Sequence, residues 1–186
     1  MKKRGPWTTL KEETRYETPW IRVTHHDILD PSGQQGIYGT VHFKNLAIGA
    51  IPLDDDLNTW IVGQYRYPIE AYSWEIPEGG GDRNIAPLAS AQRELREEAG
   101  IEAAHWQEIL RMDLSNSASD EHAILYVARG LTLHPPRPDH DEELELRKLP
   151  FEELYQMVLR GDVRDSLTVA GVMRVKLMLL DGSLQK

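Results

Sequence analysis

Cysteine is absent from the 186-residue chain, which removes disulfide bridges, thiolate nucleophiles and Cys-rich zinc sites from consideration. The absence suits a reducing cytoplasm, the location expected here. No stretch nears the roughly 20 apolar residues that a membrane-spanning helix needs. Met1-Lys2-Lys3-Arg4 is followed by Gly5-Pro6-Trp7-Thr8-Thr9 rather than the unbroken apolar run of an export signal, so neither insertion nor export is expected. Basic residues are the minority, 21 against 30 acidic, for a net charge of −9. Such a surface repels nucleic acid backbones. A small anionic substrate remains compatible if bound cations neutralise the carboxylates that face it. The seven histidines show no His-x-x-x-His spacing. There is no Gly-x-Ser-x-Gly elbow and no Lys-Ser/Thr after a glycine loop, so serine hydrolysis and P-loop chemistry lack support.

At this length, with 40% hydrophobic residues, the chain can bury a full core without staples. Residues 14 to 43 carry β-branched and aromatic stretches, Trp20-Ile21-Arg22-Val23-Thr24 and Gly36-Ile37-Tyr38-Gly39-Thr40-Val41-His42-Phe43. The turn-forming Asp30-Pro31-Ser32-Gly33 lies between them, so antiparallel hairpins are expected. Residues 46–53 and 60–65 flank Asp54-Asp55-Asp56-Leu57-Asn58 and read as a further hairpin. Strand-like stretches recur at 107–114 and 123–128, and helical apolar spacing at 151–159 and 166–180. Helices interspersed among strands favour an α/β fold, a mixed sheet covered on both faces. Residues 1–45 would form a small antiparallel β annex beside a main domain at 46–186. An annex that short hardly buries its own core, so pairing with a second copy as a homodimer is expected.

The informative segment follows Gly79-Gly80-Gly81. From Pro87 to Ala99 the chain is rich in Ala, Leu, Glu, Gln and Arg, with proline near the start and Gly100 just past the end, where helices place them. On such a helix Glu94, Glu97 and Glu98 share a face, while Ala91 and Leu95 turn to the core. Three like charges at that spacing are mildly costly unless a cation binds, and Mg2+ takes such hard oxygen ligands. A merely solvated acidic face, relieved by Arg93 and Arg96, is the plainer alternative. Against it stands the preceding strand Trp74-Glu75-Ile76-Pro77 with its glycine loop, which brings backbone amides beside the carboxylates.

Gly79, Arg93, Glu94, Leu95, Glu97, Glu98, Gly100 and Ile101 together resemble the signature box of the Nudix hydrolases, all in register. Ile85 stands where that box has its first glutamate, leaving Asp82 as a substitute partner for Arg93. Gln64-Tyr65-Arg66-Tyr67-Pro68, Trp74 to Gly79, and residues 161–168 are similar to the ADP-ribose and nucleoside-diphosphate-sugar branch. The Ser115-Asn116-Ser117-Ala118-Ser119-Asp120-Glu121 stretch lacks the proline of strict ADP-ribose hydrolases, which leaves GDP-mannose and other nucleotide sugars open.

The resemblance implies the Nudix α/β/α sandwich and Mg2+, with Mn2+ as substitute, held by Glu94, Glu97, Glu98 and the Glu78 carbonyl. It implies Arg93 as an anchor in the box, Arg66 on the substrate phosphates, and Glu75 on a ribose hydroxyl or on Arg66. Trp20 and Tyr38 would stack on the base. Glu142, ahead of Leu149-Pro150, would handle the attacking water, with Asp141 and Glu143 as near alternatives. A catalytically silent nucleotide-sugar sensor is the competing expectation, favoured by Ile85 and opposed by the intact glutamates.

Overall fold

The computed structural model describes residues 1–136 and 144–184. The chain divides into two compact units, residues 1–46 with 113–122, and residues 47–112 with 123–186.

The first unit is a four-stranded antiparallel sheet in the order β1-β2-β3-β4, namely Lys2–Arg4, Trp7–Glu17, Ile21–Leu29 and Gln35–Phe43. The expected hairpins are there, and the strands begin well before residue 14. Asp30 closes the β3–β4 turn by accepting the Ser32 and Gln34 amides. Residues 113–122 belong to this unit: Val41 donates its amide to the Ala118 carbonyl and accepts from that of Asp120. His42 pairs with Asp120 at 2.5 Å, and the Tyr38 hydroxyl donates to the Ser117 carbonyl at 2.6 Å.

The second unit holds two sheets and three helices. One sheet runs β8-β5-β10-β9, from Glu78–Asp82, Asn45–Pro52, Glu121–Leu133 and Ile101–Leu114; the other runs β11-β6-β7, from Glu145–Pro150, Asn58–Arg66 and Ala71–Glu75. Strands β5 and β10 are parallel, while β6 is antiparallel to both β11 and β7, so the architecture is mixed. The helices are α1 (Pro87–Glu98), α2 (Phe151–Arg160) and α3 (Ser166–Asp181).

Alternation along β5 builds the layers. Ala50 clusters with Leu95 and Ala99 of α1, together with Trp60, Ile101 and Ala128. The next residue, Ile51, meets Gly171 of α3, where an added Cβ would lie 2.9 Å from its Cδ1. Successive side chains of a strand point to opposite faces, so one strand serves both helical layers. The α/β class with an N-terminal antiparallel sheet is therefore what the chain adopts.

Three local expectations are corrected. Residues 46–53 and 60–65 do not form a hairpin: β5 pairs with β8 and β10, and β6 with β11 and β7. The turn itself exists, Asp54 accepting the Asp56 and Asn58 amides, but it hands the chain from one sheet to another. The glycine run is a strand, β8, because its backbone completes the edge beside β5, which propensity does not anticipate. Strand β9 begins at Ile101, although Glu102-Ala103-Ala104-His105 has little β preference on its own.

Leu95, fully buried at the centre of the α1 cluster, tests this arrangement. Leu95→Ala should cost about 2–5 kcal/mol of unfolding free energy by chemical denaturation. A loss below ~1 kcal/mol would mean that α1 is not packed as described.

Candidate active site

The site grows from the way α1 meets β8. Pro87 opens the helix at a position whose amide needs no partner, and Gly100 ends it at a φ of +66°. A Cβ on Gly100 would lie 2.1 Å from the His134 carbonyl oxygen, so a side chain is excluded by space as well as by conformation.

Between these ends, Glu94 and Glu98 lie one turn apart, 8% and 4% exposed. The Glu94 carboxylate rests on Gly79, where a Cβ would stand 2.4 Å from its Cδ. That contact gives the glycine its reason. Glu98 Oε2 accepts the Glu78 amide at 3.0 Å.

Arg93 is the second organiser. Its guanidinium donates to Glu94 Oε1 at 2.5 Å, to Glu97 Oε2 at 2.7 Å and to the Gly80 carbonyl at 3.0 Å. Asp82, the expected substitute partner, instead accepts the amide and side chain of Asn84; the short turn after β8 uses its carboxylate locally. Ile85 is 51% exposed, so the side chain at that position faces solvent.

A third group comes from the end of β7. Arg66 forks onto Glu75, its Nε donating to both oxygens at 2.9 and 3.1 Å and its Nη2 to Oε2. Glu75 thus makes the contact with Arg66 that was one of the two expected of it. Arg66 also approaches Glu78 Oε1 at 3.8 Å. Among the described residues Glu78 Oε2 is buried with no hydrogen-bond partner. Burial, then the charges of Asp165 and Glu75, push the Glu78 carboxyl well above the usual glutamate range; Arg66 opposes and Glu98 adds to the rise.

Glu78, Glu94 and Glu98 thus lie along the α1–β8 contact, with Glu97 beside them across the Arg93 fork. Among the described residues no three His, Asp or Glu side chains are gathered closely enough to hold a metal. The donors still fit a hard cation in kind: all are oxygens, and the orphaned Glu78 oxygen and the surplus of negative charge around it are what a cation would offset. Trp20 and Tyr38 lie in the first unit, Trp20 68% exposed and Tyr38 with its ring edge-on to Trp7 at 5.7 Å. Glu142, with Asp141 and Glu143, lies outside the described residues.

Residues 43–169 match the NUDIX domain model. The chain belongs to the Nudix family. Residues 7–41 match the nucleoside diphosphate sugar hydrolase N-terminal domain. The chain is similar to the ADP-ribose pyrophosphatase of Mycobacterium tuberculosis, 36% identical over 90% of this chain and 82% of that protein. It also resembles the methanol dehydrogenase activator of Bacillus methanolicus, 30% identical over 91% and 92%. A solved ADP compounds hydrolase superposes over the full length of both chains with a TM-score of 0.85 at 21% identity, a likeness of fold. The protein is a Nudix-family hydrolase.

Sequence reasoning passed over Asp165 and Thr168 as site neighbours. Asp165 accepts the Thr168 amide at the start of α3, and the Thr168 hydroxyl accepts the Ile76 amide at 2.9 Å. A capping Asp before a helical run was the available signal, though it does not reveal which strand the helix start will meet.

Two outcomes follow from this geometry. Gly79→Ala should leave the fold intact, since the colliding atoms end a movable side chain, but should displace the Glu94 carboxylate and weaken Mn2+ binding and turnover by about 10–100-fold. Wild-type affinity would show that the contact has no bearing on the site. For Glu78, a raised pKa means that the folded chain holds its proton to higher pH than the unfolded chain. Stability is then full below the ordinary glutamate range and falls as pH rises through the window above it. In chelator, Glu78→Gln should therefore melt higher than wild type at pH 8, by about 2–4 °C per kcal/mol relieved. The gap should close toward about pH 4; a gap independent of pH would contradict the assignment.

Proposed function

We propose that this Nudix hydrolase is a Mg2+-dependent pyrophosphohydrolase. It cleaves the diphosphate of a nucleoside diphosphate sugar, of the ADP-ribose or GDP-mannose kind, to a nucleoside monophosphate and a sugar phosphate. The observation that carries this reading is the box in register on one helix, with Glu94 and Glu98 turned onto Gly79 and the Glu78 amide. The Mycobacterium tuberculosis relative, an ADP-ribose pyrophosphatase, supports the substrate class, as does the match of residues 7–41 to a nucleoside diphosphate sugar hydrolase domain.

Glu94, Glu97, Glu98 and the backbone carbonyl of Glu78 would hold Mg2+, with Mn2+ as a substitute. When bound, the ion supplies charge neutralisation at phosphoryl oxygens and an acidified water. The chain's own residues do the rest. Arg93 steadies Glu94 and Glu97. Arg66, aligned by Glu75, keeps an exposed surface for phosphate oxygens, onto which a guanidinium forks. Glu142 takes the proton of the attacking water as the anhydride P–O bond breaks. Trp20 and Tyr38 offer flat faces to the base.

Residues 1–45 serve as the dimerisation element and residues 46–186 as the hydrolase domain of a cytoplasmic homodimer that binds neither membrane nor nucleic acid. A second reading, a nucleotide-sugar sensor without turnover, draws on the relative that is a methanol dehydrogenase activator.

Phosphate released from the products by a phosphatase, over ADP-ribose, GDP-mannose, UDP-glucose, NADH and diadenosine polyphosphates, separates the two. We expect turnover of a nucleoside diphosphate sugar with Mg2+, its loss in chelator, and a drop in Glu98→Gln beyond the about 10–100-fold typical of outer-shell partners. Turnover that survives chelator ends the metal assignment. Saturable binding with no turnover of any substrate favours the sensor.

A further inference from the structure

We infer that Thr168, on the first turn of α3, is a positioning residue for the hydrolytic site, setting the backbone from which Glu78 and Gly79 project. The inference rests on the pyrophosphohydrolase reading above and adds a residue to its machinery.

Thr168 is fully buried, and a buried hydroxyl without a partner is costly. Threonine near a helix start ordinarily spends its oxygen on nearby backbone of its own segment. Here the oxygen accepts the amide of Ile76, 92 residues away in sequence, at 2.9 Å. Strand β7 ends at Glu75, so Ile76 is the first residue past its ladder.

The next links are equally specific. Pro77 has no amide hydrogen, and its carbonyl accepts the Ala50 amide at 2.9 Å. Glu78 donates its amide to Glu98, and the Glu94 carboxylate covers Gly79. The segment 76–79 is thus fixed successively by α3, by β5 and by α1. Thr168 is the α3 anchor, and Asp165 secures it by accepting the Thr168 amide at 2.7 Å. Asp165 is also close enough for its charge to act on both Glu78 and Arg66, which puts the start of α3 beside the same carboxylates.

Thr168→Val keeps the shape and removes the acceptor, stranding a buried amide. The exit of β7 then loses one of its three anchors, and a small displacement of a site is enough for a large loss of rate. We expect Thr168→Val to lower kcat about 10–100-fold with KM nearly unchanged. Mn2+ affinity, titrated without substrate, should weaken as well. Thr168→Ser, which keeps the oxygen, should restore both. Hydrogen exchange at the Ile76 amide of the wild-type chain tests the clamp without any variant, slow exchange being expected.

Wild-type kcat and Mn2+ affinity in Thr168→Val, an equal loss in Thr168→Ser, or fast exchange at Ile76 would each overturn the assignment. If the wild-type chain hydrolyses nothing in the substrate panel, the pyrophosphohydrolase reading fails by itself. The Mn2+ titration then decides this one: affinity lost in the valine variant and regained with serine sustains it, and no such difference, or no Mn2+ binding by wild type, removes it.

Discussion

Two carboxylates of α1 close on the backbone of β8: Glu94 over the bare Cα of Gly79 and Glu98 onto the amide of Glu78. Most of what is distinctive in the second unit depends on that contact. It requires a residue without a side chain at 79, which the glycine run supplies. It lies close to the end of the helix, where Gly100 takes a φ of +66° and has no room for a side chain beside the His134 carbonyl. It also requires an answer to the charge brought together, and Arg93 gives part of one by bridging Glu94 and Glu97.

Among the described residues Glu78 keeps a buried oxygen without a hydrogen-bond partner; burial first, then Asp165, Glu75 and Glu98, hold its proton on, against the guanidinium of Arg66. Carboxylates desolvated together are costly, and a fold tolerates such an arrangement where it serves a purpose. Arg66 is itself committed to Glu75, a bidentate geometry that orients the guanidinium plane while leaving part of it exposed. A guanidinium fixed beside a group of carboxylates is the arrangement on which the proposed function rests.

Much of this was legible in residue order, and the reasons are local. The helix of residues 87–98 was readable because proline, glycine and an apolar face at Ala91 and Leu95 all act within one segment. The box was readable because its chemistry is tied to helical spacing. The two closing helices declared themselves by period alone. What failed involved pairing at a distance. Residues 46–53 and 60–65 flank a good turn, yet the strands go to different sheets, because β5 finds a parallel partner in β10 far along the chain. The glycine run, poor in strand preference, becomes an edge strand for the same reason. The contact of Arg93 with both Glu94 and Glu97 was not readable from spacing either, because rotamers answer to neighbours.

The sequence by itself determined the class of fold, the helix that carries the box and the chemical character of the carboxylates, since each depends on side-chain type and short-range periodicity. Only the tertiary structure decided which backbone amides those carboxylates meet, that Asp82 turns to Asn84 and not to Arg93, and that Thr168 reaches Ile76 across 92 residues. The physical reason is the same in each case. A hydrogen bond is specified by position and direction in space, and residues remote along the chain acquire those only when the sheets and helices have packed.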